Sequence, residues 1–144
     1  MENALKAGAI YFFLAFAAGF AFGTLRTLVI APAIGDTIAV ALELPIMLVI
    51  SWIACGWVLR RIRLSNLTYH RIAMGAFAFI LLMVAEVLVS TQLAGRDLAS
   101  HFALYRTLPA VMGQIGQAAF AVFPLFRTAD QTARSESEGK HDVW

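Results

Sequence analysis

Among the polar side chains within or bordering the apolar stretches of this sequence, five form a candidate intramembrane cluster: Arg26, Glu43, Glu86, Gln114 and Gln117. An ionised side chain at the middle of a membrane costs about 2.5–3.5 kcal/mol on insertion scales, and such a group is a functional hypothesis by default. Two chemistries suit the set. Glutamates with amide neighbours can carry a proton or bind a small polar ligand within a membrane. Alternatively, Arg26 pairs with Glu43, Glu86 is protonated or bonded to Gln114, and the polar groups only fix helix register. Interhelical bonds of that kind contribute about 0.6 kcal/mol on average. The sequence leaves both readings open. Glu86 has no assigned cation, which makes it the best candidate for a proton carrier.

Other residue types that do chemistry are poorly placed for it. His70 and His101 fall at opposite ends of the spans assigned below, so they cannot share a haem or a metal. Asp97 and His101 stand at i, i+4, the spacing of a local salt bridge. Ser51 and Ser90 have no histidine near them to act as a base. Cys55 is the sole cysteine and lies in an apolar run, where it reads as a small packing residue. The two glutamates are not expected to hold a divalent metal, because Arg26 already supplies the compensating charge. The chain has no phosphate loop, no CxxC and no HExxH. No catalytic residue and no cofactor are expected, and the chain does not read as an enzyme.

The elements that position the polar set follow from composition. Of 144 residues, 60% are hydrophobic and only 14% charged, with a mean hydropathy of +0.76. Ordinary soluble domains are about a quarter charged. A chain this small cannot bury so much apolar surface in water, so a lipid bilayer is its solvent. The pI near 9.0 does not imply nucleic acid, since the basic residues sit at the ends of apolar runs and form no basic face with interleaved aromatics.

Four apolar runs are each about 20 residues long, the length that a helix needs to cross a 30 Å hydrocarbon layer. They cover residues 7–25, 37–59, 72–93 and 108–126. A sheet edge cannot be left unpaired in lipid, and a barrel needs more strands in strict alternation, so the expected fold is all-α: a four-helix transmembrane bundle. Ala15-Phe16-Ala17 resembles a signal-peptidase site, but the first run is long for a signal sequence and Glu2 weakens the basic segment before it. It is expected to be a retained span.

Pro32 and Gly35 predict a turn over residues 29–36, and Ser65-Asn66 a turn or cap before the third span. In the longer connection 94–107, Leu98, Phe102 and Tyr105 share a helical face and Asp97 can cap it, which predicts a short interfacial helix. The chain divides into a four-span domain, 1–127, and a polar tail, 128–144, expected to be mobile.

With both termini on one side, that side holds Lys6, Arg60, Arg61, Arg63, Arg71, Arg127, Arg134 and Lys140, against only Arg26, Arg96 and Arg106 opposite. This asymmetry predicts cytoplasmic termini. Trp57 and Tyr69 then fall near the inner interface and Tyr105 near the outer one.

Depth brings the polar residues together. Counted from Arg60, Arg71 and Arg127 at 1.5 Å per residue, Glu43, Glu86 and Gln114 lie roughly 25, 22 and 20 Å up, and Arg26 is near the outer edge. Faces agree. Gly8, Phe12, Ala15, Gly19, Gly23 and Arg26 form one stripe of the first span, in which Ala15, Gly19 and Gly23 repeat at four, a small-xxx-small pattern. Gly75, Phe79, Met83, Glu86 and Ser90 share a face of the third span. Gln114, Gln117 and Ala121 share one on the fourth, with Gly113 and Gly116 close by. Pro45 frees the carbonyl of Ala41 and predicts a kink beside Glu43.

The segments Gly19-Phe20-Ala21-Phe22-Gly23-Thr24-Leu25-Arg26 and Glu43-Leu44-Pro45-Ile46-Met47-Leu48 resemble those of small multi-pass bacterial inner-membrane proteins that have no assigned activity. The resemblance implies a bacterial inner membrane and no particular reaction. Small multidrug resistance transporters share the size and span number, but their hallmark glutamate is in the first span, which has no acid here. Two functions stay in view: an accessory or assembly subunit of a larger membrane complex, and a proton-linked transporter or channel using Glu43 and Glu86. The expected partners are the bilayer and other membrane subunits or a second copy, not nucleic acid.

Overall fold

The computed structural model describes residues 1–62, 64 and 67–139, with side chains described up to Arg127. Every regular element among them is helical. Helix α1 spans Glu2–Ile34, α2 Asp36–Ile62, α3 Thr68–Leu93, the short α4 Leu98–Leu104, and α5 Leu108–Gly139. Four of these are long and apolar enough to cross a membrane: α1, α2, α3 and the part of α5 from Leu108 to Arg127. The chain is a four-span membrane protein, as its composition requires.

The exposed surface is that of a protein solvated by lipid. Phe13, Leu28, Ile53, Ile115 and Phe126 are all exposed, and similar side chains stud every span. In water such a surface would aggregate. In hydrocarbon it costs nothing, and helix association depends instead on close packing and on hydrogen bonds.

Around the bundle the spans run in the order α1, α3, α5, α2, each packed against its two neighbours. The buried apolar core lies toward the end that carries Met1. Ala4, Ala7, Tyr11 and Phe12 from α1 meet Cys55, Val58 and Leu59 from α2, Met74 and Ala78 from α3, and Phe120 from α5. The core is rich in small residues because backbones approach closely there. A Cβ added to Gly75 would overlap the carbonyl oxygen of Ala121, and one added to Gly8 would stand 2.8 Å from the oxygen of Met74. These two sites hold α3 against α5 and α1 against α3. The expected contact at Gly19 and Gly23 is looser. A Cβ at Gly19 would meet only the end of Met47 at 3.4 Å, an ordinary contact, and at Gly23 only the chain's own Arg26 at 4.0 Å. The stripe packs tightly through Gly8, Phe12 and Ala15, not through its glycine pair.

One local expectation is corrected. Residues 29–34 are helical, and the turn is the single residue Gly35, at φ +87°, a conformation that glycine adopts without a Cβ clash. Pro32 falls in the first turn of the segment Ala31–Ile34, just before the break. Both α1 and α3 contain a wide π-helical turn at the end away from Met1, over Arg26–Ile30 and Val89–Leu93. Beyond Arg127 the backbone stays helical to Gly139. Pro45 lies inside α2 without ending it. The turn expected at Ser65-Asn66, and the basic residues Arg63 and Lys140, lie outside the described residues.

Candidate functional site

Arg26 opens the π-helical turn of α1, and Glu43 lies about two turns into α2, across the Gly35 break. That short connection folds one helix back on the other and brings the two side chains together. Arg26 Nε lies 2.6 Å from Glu43 Oε2. The expected ion pair is therefore present within one chain. The side chains are 28% and 17% exposed, so the pair sits at the edge of the bundle and not at its centre.

Glu86 and Gln117 face each other across the α3–α5 edge. Gln117 Nε2 donates to Glu86 Oε1. The partner of Glu86 is thus Gln117, not Gln114. Three residues separate these two amides, nearly a full helical turn, and register between α3 and α5 decides which one meets the carboxyl. Gln114 is half-buried and joins neither pair. Among the described residues, no hydrogen bond or ion pair links Arg26–Glu43 to Glu86–Gln117. Because α1–α2 and α3–α5 are opposite edges of the bundle, the five polar residues form two separate clasps, with Gln114 outside both.

A third polar group stands above the second clasp. The short helix α4 is capped by Asp97, whose Oδ1 accepts the N–H of Ser100 at 2.9 Å. Hydrogen bonding to Ser100, first from its side chain and then from its backbone N–H, holds the Asp97 carboxyl below the usual carboxylate range. The carboxyl is therefore engaged with the backbone, and the expected bridge to His101 is not formed. His101 is buried at 7% exposure and lies 3.2 Å from Tyr105 Oη through its Nε2. Burial, and next the negative charge of Glu86, push the Tyr105 hydroxyl above its ordinary value. Ser90, on the π-helical turn of α3, is buried nearby in sequence, with no hydrogen-bond partner for its Oγ.

Two contacts toward the other end of the bundle were not legible as partners from spacing. Pro124 has no N–H, so the carbonyl of Phe120 loses its helical donor. Tyr11 Oη donates to that oxygen at 3.0 Å, with its ring stacked on Phe120 at 4.2 Å. An unpaired carbonyl in hydrocarbon costs several kcal/mol, about that of a lost hydrogen bond or more, and this hydroxyl removes the cost. Helical rise places Tyr11 and Phe120 at similar depth, roughly 8 and 10 Å from Lys6 and Arg127, but gives no azimuth that would pair them. Arg127 closes the same end. Its Nη2 donates to the carbonyl of Trp52 at 3.1 Å and its guanidinium covers the Trp52 ring at 4.5 Å, in space left open by Gly56. Arg71, expected at the membrane boundary, is 1% exposed and belongs to the packed end of the bundle.

Among the described residues, no group of three or more His, Cys, Asp and Glu side chains is placed to hold a metal ion. No family model matches this chain, and comparison with curated proteins and with solved structures also finds no match. The functional reading therefore stands on the geometry alone.

Proposed function

We propose that this protein is a non-enzymatic accessory or assembly subunit of a larger complex in the bacterial inner membrane, with both termini in the cytoplasm. The carrying observation is the division of the polar layer into two clasps on opposite edges. Each ionisable group is answered by a neighbouring helix, Glu43 by Arg26 and Glu86 by Gln117. Groups used in this way fix helix register, which is a structural task. The outer surface that remains is broad and apolar, suited to packing against another membrane protein. The asymmetry of basic residues supports the orientation.

Native mass spectrometry of the protein released from its own membrane in mild detergent tests the proposal. A second polypeptide in fixed stoichiometry is expected. A monomer or homo-oligomer that carries protons in liposomes would overturn it. Reporter fusions test the orientation: position 66 and the C-terminal tail should report cytoplasm, and the 94–107 connection the opposite side.

One observation favours a second reading, a proton-linked transporter or channel. Tyr105 lies within the field of Glu86 and is bonded to His101, which places titratable groups beside the clasp at the bundle end away from Met1. If this reading is correct, Glu86→Gln abolishes proton flux in reconstituted liposomes while the protein still folds.

A further inference from the structure

An open cavity of about 330 Å³ lies between α1 and α2, lined by Leu14, Ile50, Ile53, Ala54 and Trp57. Every lining residue is apolar. On α2 these residues follow the spacing i, i+3, i+4, i+7, one face of a helix. Continued by four residues, the same face reaches Arg61, and the Arg61 guanidinium stands over the Trp57 ring at 5.5 Å. The groove therefore ends under a cation. From Ile50 to Arg61 the helix rises roughly 16 Å, half of a 30 Å hydrocarbon layer and so the depth of one leaflet.

We infer that this groove is a binding site for an anionic phospholipid, with one acyl chain along Leu14, Ile50 and Ile53 and the phosphate at Arg61. Charge selects the occupant. Among residues with described side chains, this end of the bundle carries Lys6, Arg60, Arg61, Arg71 and Arg127, and Glu2 already bridges Lys6 at 2.6 Å. Arg60 is turned back, its Nε donating to the carbonyl of Gly56 at 3.1 Å, which leaves Arg61 as the cation on the groove's own face. Basic residues at the mouth of a cleft between spans attract acidic headgroups, and one arginine near the membrane surface favours them about fivefold. Trp57 sets the level: its amphipathic ring belongs at the headgroup boundary, where a phosphate passes into its acyl chains. The site lies within one chain and does not depend on the accessory-subunit reading.

The test uses the full chain in nanodiscs of phosphatidylcholine doped with phosphatidylglycerol, with bound lipid counted by native mass spectrometry after detergent exchange. Phosphatidylglycerol should be retained over phosphatidylcholine about fivefold. Arg61→Gln should bring that preference to near unity, whereas Arg96→Gln, an exposed charge at the far end, should leave it unchanged. Ile53→Trp fills the groove from a side chain that is 59% exposed, so the bundle is not disturbed, and it should lower retention of both lipids. Equal retention of the two lipids by the unaltered protein would overturn the inference, and so would equal effects of Arg61→Gln and Arg96→Gln. Retention unaffected by Ile53→Trp would remove the acyl groove. Displacement of the lipid by inorganic phosphate alone would show an anion site instead of a lipid site.

Discussion

Tyr11→Phe removes one oxygen from the packed core at the Met1 end of the bundle and nothing else. The phenyl ring keeps its stack on Phe120, and the position stays buried. What changes is the carbonyl of Phe120, which Pro124 has deprived of its helical N–H and which Tyr11 then serves. Interhelical hydrogen bonds in membranes contribute about 0.6 and at most about 1.7 kcal/mol, while leaving a buried acceptor unpaired costs about 1–3 kcal/mol. The expected loss is therefore about 1–2 kcal/mol of bundle stability, measured by denaturant titration or steric trapping in mixed micelles. A second background isolates the cause. Pro124→Ala returns an N–H to residue 124, so the Phe120 carbonyl regains its own helix's donor. Tyr11→Phe should then cost less than about 0.5 kcal/mol, because nothing is left unpaired. Pro124 is a large buried side chain, so Pro124→Ala has its own packing cost, but that cost cancels in the double-mutant cycle. Equal losses from Tyr11→Phe in the two backgrounds would refute the reasoning, because the effect of the hydroxyl would then not depend on the carbonyl that Pro124 frees.

The other predictions concern the clasps, the close approaches and the short helix. Arg26→Leu and Glu43→Gln should each destabilise the bundle, and the double variant should lose less than their sum, since stranding one charge of a pair costs more than removing both; an additive result in the same unfolding assay would mean that the pair is not coupled. Gly75→Ala should weaken folding severely because its Cβ meets the backbone of Ala121, whereas Gly19→Ala should be tolerated and Gly113→Ala, where nothing lies within 4 Å, should be neutral or stabilising by up to about 1 kcal/mol from helix propensity; similar losses at all three would discredit the packing geometry. The Asp97 cap has a pH sign: its folded pKa is depressed, so the stability it lends α4 is present above the ordinary carboxylate pKa of about 4 and is lost as pH falls through the folded value. The protection of amides 98–104, taken as exchange relative to the intrinsic rate at each pH, should fall on acidification, and Asp97→Ala should remove that dependence.

Length and apolar composition determined the number of spans without any tertiary information, because the hydrocarbon thickness and the need to pair every backbone group leave few solutions. The Arg26–Glu43 pair was legible for a related reason. A charge in lipid needs a partner at its own depth, and depth is linear in residue number along a helix. The cap of Asp97 on α4 was equally local. Rotation and register were not local. Gln114 and Gln117 share a face of α5, and only the packing of α5 on α3 through Gly75 decides that Gln117 meets Glu86. The same applies to the tight approach at Gly8 in place of Gly19, and to the inward turn of Arg71, which spacing alone placed at the boundary. Depth can be read from one helix at a time. The azimuth at which two helices meet is a property of both surfaces together, so tertiary packing alone divided one expected polar cluster into two clasps.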